Sequence, residues 1–276
     1  MSIPLHKVLI VGGGVAGTAM AILLRKRGVP VDLIDIDPVW TGQGAGITIT
    51  GPTLRALRPT GVLDRFFEYG AGWSGGYVFD QGGRLLEELQ TFPLEDGTPA
   101  TAGIHRADLH NLLVDNVRAL GTNIRLGVTA TALHDEGDQV VATFSDGTTG
   151  RYDLAIAADG VFSKLRQKML PDSGTPQYTG QAAWRATVAR PADVQGRCSY
   201  FGPRNKAGFN PVSQRQMYIY LVQNFRCSCG LPTPSFRRSC ASSSWILAEW
   251  EKVSDMPSAD PAGVLDRTLK TLAQPF

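Results

Sequence analysis

The chain has 276 residues, of which 43% are hydrophobic and 19% are charged, a composition typical of a soluble globular protein with one large domain or two intertwined ones. A formal net charge of +2 is too small to indicate nucleic acid or a membrane surface as a partner. Three of the 4 cysteines, Cys227, Cys229 and Cys240, lie in one short stretch without a histidine at ligand spacing, so no metal site is expected. A disulfide framework is also unexpected in a chain of this length, which favours a reduced, cytoplasmic setting.

The first apolar run, Val8 to Leu24, imitates a signal peptide or a membrane helix, and Ala19-Met20-Ala21 even imitates a signal-peptidase site. Three consecutive glycines in its middle are poor helix formers. We therefore expect the chain to be neither exported nor membrane-spanning.

The same residues predict a βαβ unit. His6 to Val11 is an apolar run typical of a strand buried on both faces, and it runs directly into a glycine-rich turn that begins at Gly12. Thr18 to Arg27 has alanine and leucine at helical spacing, Gly28 stops that helix, and Val31 to Asp35 resumes a strand. The whole has the size of one βαβ crossover.

Each glycine of the turn has a physical task in dinucleotide binding. Gly12 permits the tight turn, Gly14 lets a pyrophosphate approach the backbone, and Gly17 lets the helix pack against the strand. The helix start, which includes Val15 and Ala16, offers free N–H groups and a positive dipole end to the phosphates. These five residues are therefore predicted to bind a cofactor, and the alternative is an ordinary glycine turn.

Asp35 is the predicted ribose ligand. It ends the second strand 23 residues after Gly12, where a carboxylate accepts the hydroxyls of an adenosine ribose. Asp37 is a nearby rival, but it precedes Pro38 and is expected to lie past the strand as a solvated turn acid.

A second segment distinguishes between cofactors. Asp153 to Arg166 is an apolar strand that ends in Ala-Asp-Gly and enters a helix with Ser163 and Arg166 at set offsets. This segment resembles the second fingerprint of the FAD-dependent aromatic hydroxylases, the p-hydroxybenzoate and salicylate hydroxylase-like flavoprotein monooxygenases. The resemblance runs from residue 7 to about residue 224 and is looser between the two glycine motifs. Its further segments are Gly44–Ile47, Leu54–Leu57, Gly61–Leu63, His105–Leu109, Tyr178–Gly180 and Ala183–Arg185.

The resemblance implies FAD as the cofactor, with its ADP half held by the first glycine motif and Asp35. It places Arg106 by the pyrophosphate or flavin, and Asp159 near the ribitol and pyrophosphate with a link to NAD(P)H use. It also implies a reaction in which NAD(P)H reduces FAD, molecular oxygen adds to the flavin, and the resulting C4a-hydroperoxide delivers one oxygen atom to a small aromatic or hydrophobic substrate. The cofactor does the hard chemistry, so no catalytic side chain is assigned.

Plainer interpretations exist for several of these residues. Arg106 fits a surface residue, Asp159 with Gly160 fits a simple turn, and Arg166 fits a structural ion pair. None of His105, His110 and His134 is expected to act as a base.

The predicted fold is α/β, with a Rossmann-like FAD-binding domain and a smaller antiparallel substrate sheet. The FAD-binding domain is expected at 1–70 and 100–175, and the substrate sheet at 71–99 and 176–224. Within these ranges the sequence predicts a hairpin at 72–89, a helix at 111–120, and strands at 124–133 and 140–144.

The family's third fingerprint, a Gly-Asp near its C-terminus, has no counterpart here, so the C-terminal part is expected to be missing or altered. After Asn224 the sequence loses its periodicity and becomes rich in Cys and Ser, which marks 225–276 as an atypical tail with a short helix at Asp266–Ala273. Two hypotheses account for this change: a natural fragment or splice-like variant, and a reading-frame disruption in the coding sequence. The alternative functions are a catalytically inactive remnant with residual nucleotide binding and an NAD-dependent dehydrogenase.

Overall fold

The computed structural model describes residues 5–224, which form two compact units. The strands are β1 (Val8–Val11), β2 (Val31–Asp35), β3 (Gly46–Thr50), β4 (Ala71–Trp73), β5 (Gly76–Asp80), β6 (Leu85–Leu89), β7 (Thr101–His105), β8 (Asn123–Leu126), β9 (Ala130–Asp135), β10 (Val140–Phe144), β11 (Thr149–Tyr152), β12 (Leu154–Ala157), β13 (Gln181–Ala189), β14 (Arg197–Phe201), β15 (Asn205–Pro211) and β16 (Gln216–Asn224). The helices are α1 (Val15–Arg25), α2 (Gly51–Leu57), α3 (Leu63–Tyr69), α4 (Arg106–Ala119) and α5 (Lys164–Met169), with short 3-10 turns at Arg58–Thr60 and Pro171–Ser173.

Unit 1 consists of the chain up to Gly44, Pro52–Glu68 and Arg106–Gln177. Its main sheet is parallel and has the strand order β12-β1-β2-β8. Because all four strands run the same way, their carboxyl ends meet at one edge, where sheets of this type bind ligands.

The parallel sheet of unit 1 is covered on both faces, which explains why β1 is apolar throughout. Leu9 and Val11 belong to a buried cluster that includes residues of β9, β10 and α5. On the opposite face, Ile10 is fully buried and lies next to Gly17 of α1. The predicted α/β fold class is confirmed in this unit, and β2 has the predicted bounds.

The predicted strand at 124–133 is wrong, because the structure divides it. β8 joins the parallel sheet, whereas β9 pairs with β10 in a separate three-stranded antiparallel sheet. Gly127 lies between them with φ +71°, a conformation that glycine adopts without steric cost and that ends the first strand. The helix predicted at 111–120 begins earlier, at Arg106, and ends at Ala119.

Unit 2 consists of Ala45–Gly51, Tyr69–His105 and the described chain from Tyr178 onward. Its larger sheet has six strands in the order β13-β16-β15-β14-β5-β6, and a second sheet has the order β3-β7-β4. The predicted hairpin is confirmed as β5 and β6. One face of the six-stranded sheet is an apolar core that includes Phe79, Phe209 and Ile219.

The antiparallel strands predicted at 176–224 are confirmed as β13 to β16. One pair in the same sheet was not predicted: β14 pairs in parallel with β5, Arg197 opposite Gly76. Local alternation predicts a strand without indicating the direction of its neighbour, so the sequence did not reveal this pair.

The unit boundaries also differ from the predicted ones. Residues 45–51 were expected in the first domain, but β3 pairs antiparallel with β7, Ile47 opposite Ile104, and so belongs to unit 2. The predicted tail at 225–276, with its short helix and three of the cysteines, lies outside the described residues. Within residues 5–224, no helix has the length and apolar character needed to cross a membrane.

Candidate functional site

Three sequence-predicted site residues lie at the carboxyl edge of the parallel sheet. Gly12 follows β1, Asp35 ends β2, and Asp159 comes shortly after β12. Since β1 lies between β12 and β2, both glycine motifs and the predicted ribose ligand are neighbours at this edge. A side chain on Gly12 would overlap the carbonyl oxygen of Ala158 and come within 2.9 Å of the Asp159 nitrogen.

The glycines of the turn are required for different reasons. Gly12 has φ +108°, a value that side chains disfavour, and it has no room for a side chain. Gly17 lies directly against the Gly12 carbonyl oxygen, so α1 packs closely on β1. Gly14 is different, because no atom lies within 4 Å of the position that a Cβ there would occupy.

The start of α1 faces open space. Gly14, Val15 and Ala16 are exposed, whereas Gly17 is buried. No side chain caps this helix start, and no acidic residue lies in the first turn. The first N–H groups of a helix have no partner within the helix, so an anion in front of Gly14 would satisfy them. This geometry fits a dinucleotide diphosphate.

The Asp35 carboxylate is half-buried and already accepts two backbone hydrogen bonds. One oxygen accepts the N–H of Gly13 at 2.5 Å, and the other accepts the N–H of Asp37 at 2.8 Å. A carboxylate has about four lone-pair sites, so Asp35 retains the capacity to accept ribose hydroxyls. Asp37 instead accepts the N–H of Val39 at 2.9 Å, as a turn acid does.

Sequence reasoning missed Trp40. Its indole N–H donates to the carbonyl oxygen of Gly13 at 2.9 Å, and its side chain is buried. His110 meets the indole edge to face, with ring centroids 5.7 Å apart. Burial lowers the pKa of His110, and the charge of Asp35 opposes this shift in part. No spacing rule identifies a tryptophan in a loop as a partner of a distant glycine.

Arg106, the first residue of α4, is exposed. A side chain on Gly44 would come 3.4 Å from its Cδ, so the chain passes close to this arginine. Within the described chain Arg106 forms no hydrogen bond or ion pair with Gly12, Asp35 or Asp159. Arg166 donates to the carbonyl oxygen of Val161 at 2.7 Å, which is a structural contact.

In unit 2, polar side chains lie on the face of the six-stranded sheet opposite its apolar core. The Tyr218 hydroxyl accepts a hydrogen bond from Asn210 at 2.7 Å and lies 3.0 Å from the Thr48 hydroxyl. The Ser199 and Tyr220 hydroxyls are 2.9 Å apart. The sequence indicated these strands but not these pairs, because each pair joins residues on different strands.

The family profile described as "FAD binding domain" matches residues 6–245. The chain belongs to this FAD binding domain family. The match continues past Asn224, where the resemblance found from the sequence motifs ended. Membership in this family supports FAD as the cofactor and removes support from the NAD-dependent dehydrogenase alternative.

Individual relatives of this FAD binding domain chain agree with the family. It is 29% identical over 218 residues to the putative FAD-dependent monooxygenase YetM of Bacillus subtilis, which covers 78% of this chain and 59% of the relative. It is 32% identical over 220 residues to the 2-heptyl-3-hydroxy-4(1H)-quinolone synthase of Pseudomonas aeruginosa, covering 79% of this chain and 56% of the synthase. The chain thus spans less than two thirds of the length of either relative.

The solved structures share the fold of this FAD binding domain chain. Klebsiella pneumoniae HpxO, in complex with FAD and uric acid, superposes with a TM-score of 0.76 at 21% identity. The superposition covers 95% of this chain and 65% of HpxO.

Proposed function

We propose that this chain belongs to an FAD-dependent, NAD(P)H-using monooxygenase that hydroxylates a small aromatic or hydrophobic compound. Family membership indicates the cofactor, and the proposal adds the reaction that the cofactor carries out. The proposal is supported by the monooxygenase relative and by the glycine turn at the carboxyl edge of the parallel sheet in unit 1.

The open space at Gly14 is the observation that carries the cofactor assignment. The turn packs the positions of Gly12, Gly13 and Gly17 tightly, and it leaves the Cβ position of Gly14 open at the start of α1. The uncapped start of α1 faces the same space and offers N–H donors and a positive dipole end. A diphosphate matches both features in shape and charge.

The remaining residues have proposed roles around this diphosphate. Gly12 and Gly17 shape the turn, Val15 and Ala16 supply backbone at the helix start, and Asp35 accepts the adenosine ribose hydroxyls. A carboxylate with two backbone donors is held in one orientation, so Asp35 is preorganised for this task.

Two further residues have proposed contacts with the cofactor. Arg106 would contact the diphosphate or flavin, since an exposed guanidinium pairs well with phosphate oxygens. Asp159, at the end of β12, would lie near the ribitol and diphosphate.

Reduced flavin, when bound, supplies the activation of molecular oxygen. In the overall reaction NAD(P)H provides two electrons, one oxygen atom enters the product and the other leaves as water. The chain's own contribution is to bind and orient the cofactor and the substrate.

The proposed substrate class follows from the relatives. The Tyr218 and Asn210 side chains of unit 2 are buried and bonded to each other, so they are assigned to the fold and not to the substrate. The names of the relatives contain a hydroxyquinolone and uric acid, which are both flat heterocycles.

Cofactor binding is tested by titrating purified protein with FAD and ADP in a calorimeter. We expect both to bind, and a folded protein that binds neither would refute the proposed function. Gly14→Ala places a methyl group in the open space, so we expect FAD affinity to fall by about 10- to 100-fold while the unliganded protein keeps its melting temperature. Gly82→Ala, in the exposed β5–β6 turn, is the matched control and should leave affinity unchanged.

Turnover is tested separately with the FAD-loaded protein. Quinolones, hydroxybenzoates and purines are supplied with NADH or NADPH, and reductant oxidation, oxygen consumption and product mass are measured together. We expect one class to give a product that is heavier by one oxygen atom, labelled when ¹⁸O₂ is used. Binding of FAD without any labelled product would leave the cofactor assignment standing and contradict the reaction.

A further inference from the structure

The side chain of Trp40 contacts the glycine turn directly. Its buried indole N–H donates to the Gly13 carbonyl oxygen, and a side chain on Gly13 would overlap the indole nitrogen. Gly13 therefore has to be glycine because of Trp40, whereas Gly14 leaves space for a ligand.

Hydrogen bonds hold the peptide groups on both sides of Gly13. Its N–H donates to Asp35, and its carbonyl accepts from Trp40. In a planar trans peptide the carbonyl and the following N–H point in opposite directions. The Trp40 bond thus also fixes the direction of the Gly14 N–H, which belongs to the segment that faces the open space.

Trp40 is itself in an unusual conformation. Within residues 5–224 it is the one non-glycine residue with positive φ, at +53°. A bulky residue in this region is strained, and such strain persists when the surroundings hold the residue firmly, often at functional sites. Here the surroundings are supplied by α4, since His110 packs against the indole edge to face and donates to the Trp40 carbonyl oxygen at 3.3 Å.

The residues that follow Trp40 also pack against α4. Gly42 lies against Ala107 and His110, and Gly44 lies beside the Arg106 side chain. The stretch from Trp40 to Gly44 therefore runs from the glycine turn to the start of α4, where a second proposed cofactor residue stands.

We propose that Trp40 is a positioning residue for the diphosphate of FAD, acting through the Gly13–Gly14 peptide rather than by contact with the cofactor. The inference rests on the proposed FAD site of unit 1. Its indole N–H holds the peptide in the orientation that receives the diphosphate, so the turn does not have to reorganise when the cofactor binds.

Trp40→Phe tests this, because it keeps an aromatic ring and removes the N–H donor. Dissociation constants for FAD and for ADP are measured by calorimetry, and the melting temperature of the unliganded protein is measured beside them. We expect both dissociation constants to rise about tenfold, the effect of one lost hydrogen bond of ordinary strength. An equal loss of affinity for FAD and for ADP would locate the effect at the ADP half of the cofactor, which contains the diphosphate. The melting temperature of the unliganded protein should change by only a few degrees.

Trp73→Phe is the matched control. Trp73 is buried in unit 2, and within the described residues its indole nitrogen has no hydrogen-bond partner, so its replacement should leave FAD and ADP affinity unchanged. Unchanged affinity in Trp40→Phe, an equal loss in Trp73→Phe, or a Trp40→Phe chain that no longer folds would each overturn the inference. If the unmodified protein bound neither FAD nor ADP, the proposed function itself would fail, which is a separate result.

Discussion

The Tyr152 hydroxyl donates to the Asp32 carboxylate at 2.8 Å in the interior of unit 1. Asp32 is 6% exposed and also accepts from Asn123 at 2.9 Å, with the Lys7 ammonium 2.9 Å away. Burial alone would raise the pKa of Asp32, but the hydrogen bonds from Lys7, Asn123 and Tyr152 outweigh it and lower the pKa. This network lies near the amino ends of β1, β2 and β8, away from the proposed cofactor site at their carboxyl ends, so it serves the fold.

Tyr152→Phe should destabilise the protein without affecting the cofactor. Removing the hydroxyl leaves a buried carboxylate with one donor fewer, which costs about 1–3 kcal/mol. Urea unfolding should show this loss, while the FAD dissociation constant of the folded protein stays the same. Tyr69→Phe, on a half-exposed ring, is the control and should be neutral. A neutral Tyr152→Phe would mean that the carboxylate does not depend on this bond.

His110 should make stability depend on pH. Burial lowers its pKa below the ordinary 6.5, so between the folded and unfolded pKa values the unfolded chain binds more protons than the folded one. The contribution of neutral His110 to the free energy of unfolding is then complete above pH 6.5, and it is lost as the pH falls below that value. His110→Phe keeps the ring against Trp40 and should remove this component of the loss between pH 7.5 and pH 5.

Urea unfolding at several pH values measures this difference. His134→Phe, at an exposed position of β9, serves as the control and should keep the pH dependence of the original chain. Identical pH profiles for His110→Phe and the original chain would contradict the assignment.

Gly17→Ala should damage the fold and the cofactor site together. The added methyl group would overlap the Gly12 carbonyl oxygen, so α1 would have to move away from β1. Overpacking of this kind costs about 1–3 kcal/mol. We expect a lower melting temperature and weaker FAD binding, in contrast to Gly14→Ala, which should lower affinity alone. Equal melting temperatures for the two variants would show that α1 tolerates the shift.

Cys198 should be unreactive in the folded protein. Burial raises the pKa of its thiol to about 12, and the thiolate is the reactive form. Iodoacetamide at pH 8 should therefore leave the peptide containing Cys198 unlabelled until urea unfolds the chain. Mass spectrometry of the digested protein gives the readout, and rapid labelling of this peptide without urea would contradict the packing around β14.

The sequence predicted the glycine turn and the strands beside it well, because these elements depend on local chemistry. A strand, a glycine turn and a helix follow one another directly, and β2 had the predicted bounds ending at Asp35. The neighbouring position of Asp159 could be expected because a second apolar strand ends just before it, and strand ends gather at one edge of a parallel sheet.

What the sequence did not reveal depends on contacts between distant segments. β3 belongs to unit 2 because it pairs with β7, and β14 runs parallel to β5. Neither pairing leaves a periodic signal in the strand itself. Trp40 was missed for the same reason, since a loop tryptophan shows no sign of the carbonyl that it will contact.

The pairing of β1 with β12 has a consequence for the chain as it leaves the ribosome. Lys7, just before β1, is held by Asp153, just before β12, across 146 residues of sequence. At about 5–20 residues per second, synthesis of that interval takes roughly 7–30 s. During this time the first strand, apolar on both sides, has its later neighbour still unmade, which is the condition under which newborn chains aggregate or recruit chaperones.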